Sequence, residues 1–218
     1  VVAWMKTQNL ATTKDVFLFF MNEIEKIING LGKKMVTWDD AFAFDPEKAT
    51  QATVMSWRGD AIAQIALDHG REVIAGPVFP TYLDYSQEVS ESEPLAIGGP
   101  VTLADVLAFK PLPGVTGVQF QLWSEYIQSP IHAEYMMWPR AAALAFRCWS
   151  EDQDFESYFN QRRPQLEALG VTIREIDPVK RVNIAHLGIG DYYRGFDTAQ
   201  MMQALEKSAI AGEVAHDF

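Results

Sequence analysis

Three tryptophans in this sequence stand where an apolar run gives way to polar residues: Trp38 before Asp39 and Asp40, Trp57 before Arg58-Gly59-Asp60, and Trp123 before Ser124 and Glu125. A further aromatic, Tyr82, opens Tyr82-Leu83-Asp84-Tyr85 within a segment rich in Pro, Gly and acids. Flat rings pack on the apolar C–H face of a pyranose, and carboxylates accept hydrogen bonds from its hydroxyls, so rings set beside acids suit carbohydrate. Each Trp taken alone reads as core packing; three at equivalent points read as a site. The expectation is that Trp38, Trp57, Tyr82 and Trp123 line one sugar-sized hollow.

The elements that must carry these groups repeat one design. Residues 15–31 space Val16, Phe19, Phe20, Ile24, Ile27 and Ile28 as an amphipathic helix, with Thr12 or Thr13 to cap it and Gly30 and Gly32 to stop it. Residues 35–38 form a short apolar run fit for a strand buried on both faces. The design then recurs, with a strand over 53–57, a helix over 61–69 closed by Gly70, and a strand over 72–75. A long segment runs from 76 to 100, and loops of that length are usually functional. Residues 102–109 read as a helix, 117–123 as a fourth strand and 135–149 as an Ala-rich helix beginning near Pro139. Strands alternating with helices predict parallel βαβ units, either in a doubly wound sheet or in part of a barrel. From residue 179 the pattern weakens to one helix, 198–209, on an acidic tail.

Composition narrows the function classes. The 218 residues carry 18 Lys plus Arg against 29 Asp plus Glu, a formal charge of −11, which opposes approach to a polyphosphate, so no nucleic-acid partner is expected. No run reaches the roughly 18 apolar residues of a membrane span, and no membrane partner is expected. Cys148 has no second cysteine to pair with, and it reads as a small buried hydrophobe. His69, His132 and His216 are isolated and read as solvent-facing or helix-terminal residues. No metal or other cofactor is implied.

Taken in order, Trp38-Asp39-Asp40, Ala52-Thr53-Val54-Met55-Ser56-Trp57-Arg58-Gly59, Tyr82-Leu83-Asp84-Tyr85, Gly117-Val118-Gln119 with Leu122-Trp123-Ser124-Glu125-Tyr126, and Trp138-Pro139-Arg140 with Ala142-Ala143-Leu144-Ala145 resemble the catalytic barrel of the family 20 glycoside hydrolases, the β-N-acetylhexosaminidases. The likeness runs to about Pro178, including Phe155 to Arg174. It implies an α/β fold, the C-terminal part of a (β/α)8 TIM barrel, about strands five to eight, over residues 1–178, with a helical tail over 179–218. It also implies hydrolysis of terminal non-reducing N-acetylhexosamine by a substrate-assisted, retaining route in which the substrate's acetamido oxygen is the nucleophile. By resemblance Tyr82, the one catalytic candidate, hydrogen-bonds that oxygen, Trp38, Trp57 and Trp123 wall the acetamido pocket and the ring, and Asp84 and Glu125 accept hydrogen bonds from the outer hydroxyls. The alternative for Asp84 or Glu125 is a solvated ion pair with Arg58 or Arg140.

Two positions depart from the family pattern: Asp40 stands where Glu is usual, and Phe146 stands where the helix commonly carries Glu, which puts a structural ion pair there in doubt. The family's general acid lies in a His-x-Gly-Gly-Asp-Glu segment, and the 218 residues contain no such segment. Residues 1–31 resemble the stretch that normally comes after that segment, so the sequence is expected to begin just downstream of the catalytic pair and to be inactive by itself. His186-Leu187-Gly188-Ile189-Gly190-Asp191-Tyr192 echoes the motif with an inserted Ile189 and with Tyr192 in place of the acid, and reads as a turn. A half-barrel leaves two strand edges unpaired, so association with the missing N-terminal half-barrel or with a second copy is expected, the alternative being that the tail from Val179 folds over an exposed edge. A non-catalytic carbohydrate-binding or structural half-barrel is the alternative function. The resemblance is compatible with an extracellular, periplasmic or lysosome-like compartment.

Overall fold

The structure, a computed structural model, describes residues 2–90, 93–150 and 154–176. The tail from 179, its expected helix, the turn around Gly188 and His216 lie outside the described residues. In chain order the elements are α1 (Val2–Thr7), α2 (Thr13–Gly30), β1 (Val36–Trp38), α3 (Asp40–Phe44), β2 (Thr53–Ser56), α4 (Asp60–Asp68), β3 (Val73–Ala75), α5 (Val78–Thr81), α6 (Leu103–Ala108), β4 (Gly117–Val118), α7 (Pro130–Met137), α8 (Arg140–Trp149) and α9 (Phe155–Ala168). They divide into two compact units, one of residues 2–79 and 110–119, the other of residues 80–109 and 120 onward.

The first unit holds a four-stranded sheet in the order β1-β2-β3-β4. All pairs are parallel, with Val36 opposite Thr53, Val54 opposite Val73 and Ile74 opposite Gly117. Thr12 starts α2 through a capping box with Asp15, which satisfies backbone N–H groups the helix cannot satisfy itself. Leu18, Phe42, Val54, Ala63, Ala66 and Val73 are buried in one core, with Phe17, Met21, Leu67 and Val115 packed against it. Burying a side chain as large as Phe42 contributes about 2–3 kcal/mol. The first predicted strand is corrected in one respect: Met35 is buried, but Val36 is 49 % exposed, so β1 is not covered on both faces. Among the described residues it is an outer strand of this sheet, paired on one side only.

In the second unit, the predicted helix over 135–149 is split. Pro139 has no N–H to donate, and the residue before a proline is driven to extended backbone, as Trp138 is at φ −98° and ψ 131°. Tyr135, Met136 and Met137 therefore close α7, and α8 begins after the proline. The predicted strand over 117–123 is strand only at Gly117–Val118; beyond it Gln121 forms a single parallel bridge with Tyr82. Phe146 is 2 % exposed, with its ring 5.5 Å from Phe155 and 4.8 Å from Tyr158. An aromatic contact thus stands where the family pattern has a carboxylate. Cys148, expected to be buried, is exposed: it lies in the last turn of α8, next to the helix end at Trp149. His132, expected at the surface or at a helix end, is in the first turn of α7 but is 2 % exposed, and burial holds its pKa below the ordinary range.

Candidate functional site

In the first unit, Trp38 ends β1, and Trp57 directly follows β2, both half-buried. The acids beside them are not left for a ligand. Asp39 is fully buried and accepts hydrogen bonds from the backbone N–H of Trp57 at 3.0 Å and of Arg58 at 3.1 Å, and it pairs with the Arg58 guanidinium. Asp40 accepts from the Trp57 indole Nε1–H at 3.3 Å and from Arg58 at 2.8 Å. The Arg58 guanidinium lies 4.3 Å from the Trp57 ring centroid, a cation–π arrangement. Burial pushes the Asp39 carboxyl above its usual range, opposed in part by the hydrogen bonds and charge of Arg58. Trp57 is therefore held by its backbone, its indole N–H and one ring face. The parallel register causes this: the residues just past β1 come level with the residues just past β2. Gly59, at φ 103°, then turns the chain into α4, a conformation other residues rarely adopt.

These contacts correct one sequence expectation: Asp39 and Asp40, read beside Trp38 as carboxylates for sugar hydroxyls, are instead the clamp on Trp57 and the partners of Arg58. Asp40, on its shorter arm, still reaches both the indole and the guanidinium.

The second unit brings together Tyr82, Asp84, Trp123 and Glu125. Tyr82 and Trp123 have ring centroids 6.5 Å apart, and Tyr85 meets Tyr82 edge-on at 6.3 Å. The backbone is laid out by Gln121, whose N–H donates to the Thr81 carbonyl at 2.9 Å and whose carbonyl accepts from Leu83 N–H at 2.8 Å. Asp84 is 5 % exposed, and Trp123 is 42 % exposed. Burial lifts the Asp84 carboxyl to about 6; backbone N–H donation from Asp84 and Trp123 opposes this, the Glu125 carboxylate adds to it, and the Arg140 charge opposes it. Asp84 Oδ1 is buried with no hydrogen-bond partner among the described residues. Buried polar atoms are nearly always satisfied, so an unsatisfied one in an aromatic setting marks a place for a donor.

Arg140, offered by the sequence only as an ion-pair alternative, does something else. It is fully buried and donates to the carbonyls of Leu83, Tyr85, Val101 and Met136. It thus fixes the main chain on both sides of Asp84. Burial brings its pKa down to about 9, which leaves it charged at neutral pH. Its position after Trp138-Pro139 is readable in the sequence, but its partners are backbone carbonyls, which no pattern of side chains can reveal. Among the described residues no group of three His, Cys, Asp or Glu is placed to hold a metal, and no helix is long and apolar enough to cross a membrane.

Residues 1–152 match the family described as glycosyl hydrolase family 20, catalytic domain. A β-hexosaminidase of Porphyromonas gingivalis is 33 % identical over 156 residues, which are 67 % of this chain and 20 % of that protein. Among solved structures, an exo-β-N-acetylglucosaminidase of Vibrio harveyi in complex with N-acetylglucosamine superposes with a TM-score of 0.70 at 28 % identity, over 79 % of this chain and 29 % of that one. The β-N-acetylhexosaminidase of Streptomyces coelicolor gives 0.64 at 25 % identity, over 79 % and 38 %. The chain spans between a fifth and two fifths of these relatives, and its parallel α/β architecture is that of part of their TIM barrel. It belongs to glycoside hydrolase family 20.

Proposed function

We propose that this chain is the sugar-binding part of a β-N-acetylhexosaminidase that removes terminal non-reducing N-acetylhexosamine. The observation that carries the reading is the grouping of Tyr82, Asp84, Trp123 and Glu125 in the second unit, with a buried carboxylate oxygen lacking a donor among the described residues. Tyr82 donates its phenolic hydrogen to the acetamido oxygen as that oxygen bonds to the anomeric carbon and the glycosidic bond breaks. Asp84 and Glu125 accept hydrogen bonds from outer hydroxyls, and Trp123 packs on the ring. Trp38 and Trp57, in the first unit, are further rings of the kind that pack on a sugar. A water-poor setting of this kind strengthens hydrogen bonds that grow in the transition state.

The proton for the leaving group comes from an Asp-Glu pair that these 218 residues do not contain in its family setting. Hydrolysis therefore belongs to the assembled protein, and this chain alone binds without turnover. The outer strands β1 and β4, with Val36 exposed at the first, suit a further part of the barrel or a second copy as the associating partner. The test is saturation-transfer NMR of the chain with N-acetylglucosamine, and release of a chromophore from an N-acetylglucosaminide by the chain alone. Binding that is lost in Trp123→Ala and Asp84→Asn, with no turnover, is expected. Undiminished binding in both variants, or turnover by the chain alone, overturns the reading.

A further inference from the structure

Arg174 lies beyond the last residue matched by the family, yet it is 7 % exposed and sits in a polar cluster of the second unit. Its Nε donates to Glu93 Oε1 at 3.0 Å and to the Tyr135 hydroxyl at 3.1 Å. Its Nη2 lies 2.9 Å from Glu93 Oε1 and 3.1 Å from Glu88 Oε1. The Tyr135 hydroxyl donates to the same Glu93 oxygen at 2.8 Å, Gln87 N–H donates to Glu93 Oε2 at 3.2 Å, and Gln87 Nε2 donates to the Tyr135 carbonyl at 2.7 Å. The stretch after α9 is itself anchored, with Arg174 N–H on the Trp138 carbonyl at 3.3 Å and Thr172 N–H on Glu134 Oε2 at 2.7 Å.

A buried ion pair adds little net stability, because desolvation offsets the attraction, but losing one partner leaves a stranded charge. Such a network is best explained by the geometry it imposes. Gln87, Glu88 and Glu93 all belong to the segment that leaves Tyr82-Leu83-Asp84-Tyr85. That segment closes on itself at Ser86, whose N–H donates to the Gly98 carbonyl and whose carbonyl accepts from Val101 N–H, both at 2.8 Å. A Cβ at Gly99 would overlap Ser86 Oγ and fall 2.9 Å from the Ser86 backbone nitrogen, so the closure requires glycine there. Arg140 holds the root of the loop at Leu83, Tyr85 and Val101; Arg174 holds its far side at Glu88 and Glu93.

We propose that Arg174, through Glu93, is a positioning residue that latches the 82–101 loop into the shape in which Tyr82 and Asp84 meet the sugar. The proposal rests on the reading that these two residues bind N-acetylhexosamine. The test is hydrogen–deuterium exchange of the chain as wild type, Arg174→Met and Glu93→Gln, beside titration of each with N-acetylglucosamine. Both variants should exchange about tenfold faster over 82–101, with residues 36–38, 53–56 and 73–75 unchanged, as local opening of one segment demands. Arg174→Lys should restore part of the protection. Sugar affinity should fall about tenfold in Arg174→Met. Unchanged exchange over 82–101 in both variants overturns the latch, and faster exchange with unchanged affinity overturns its positioning role. If the wild type binds no sugar, the functional reading fails, while the exchange arm still decides whether the latch exists.

Discussion

Replacing Asp84 by Asn leaves the shape of the side chain and removes its charge. Asp84 is 5 % exposed, and its carboxyl is lifted from an ordinary 3.8 to about 6, chiefly by burial. The folded protein therefore keeps this proton over a range in which the unfolded chain has released it. The stability it contributes is fully present below about pH 4, declines as the pH rises to about 6, and stays at its lower level above that. At about 1.4 kcal/mol per pH unit, the ionised carboxylate costs the fold about 3 kcal/mol at pH 7. Asn bears no such cost, so at pH 7 Asp84→Asn should melt about 6–12 °C above the wild type, given roughly 2–4 °C per kcal/mol for a chain of this size. At pH 4 the two should melt together, because the folded wild type then carries a protonated Asp84 as neutral as the Asn. Thermal unfolding followed by circular dichroism at the two pH values reads this directly. An Asp84→Asn protein that melts at or below the wild type at pH 7, or with the same offset at both, refutes the reasoning. A gain in stability alongside lost sugar binding is the expected trade at a site held in place for function.

Asp39→Ala leaves the backbone N–H groups of Trp57 and Arg58 without their acceptor and the partly buried Arg58 charge with Asp40 in place of two carboxylates, and should cost about 3 kcal/mol in denaturant unfolding. In the same variant the near-ultraviolet circular dichroism assigned to Trp57, by subtraction of Trp57→Phe, should weaken. Restoring the family's carboxylate with Phe146→Glu places a charge at a 2 % exposed position among Phe155 and Tyr158, and should destabilise the second unit by about 4 kcal/mol or more, seen as a lower urea midpoint. Sedimentation velocity at micromolar concentration should show more than monomer, as outer strands paired on one side only among the described residues favour; a clean monomer counts against association.

How much was legible in the sequence differs from residue to residue. The parallel order of the sheet was readable, because four apolar runs alternate with helical periodicity and three of them lead into a Trp. The helices after Thr12 and Thr102 were readable but their starts only in part: Thr12 and Thr13 were both open as the first cap and Thr102 was counted inside its helix, whereas each of Thr12 and Thr102 forms a capping box with the Asp three residues on. What was not legible depends on register and on backbone acceptors. Asp39 looked like a ligand-facing acid until pairing brought it level with Trp57 and Arg58. The four carbonyls that receive Arg140 carry no residue-type signal. The split at Pro139 was signalled by the proline itself, but the Ala-rich run after it disguised where α7 ended. Glu93 and Arg174 lie far apart in sequence, and nothing local predicts their pairing.

The single cysteine sits in the open beside Trp149, which is 90 % exposed. That makes Cys148 a natural handle: one maleimide dye attaches at one place, with a neighbouring indole to report on its motion. It also sets a condition for any measurement of size. Two such thiols can oxidise to a covalent pair, so a dimer seen without reductant says nothing about strand edges, and only the species that survives reduction reports how this chain assembles.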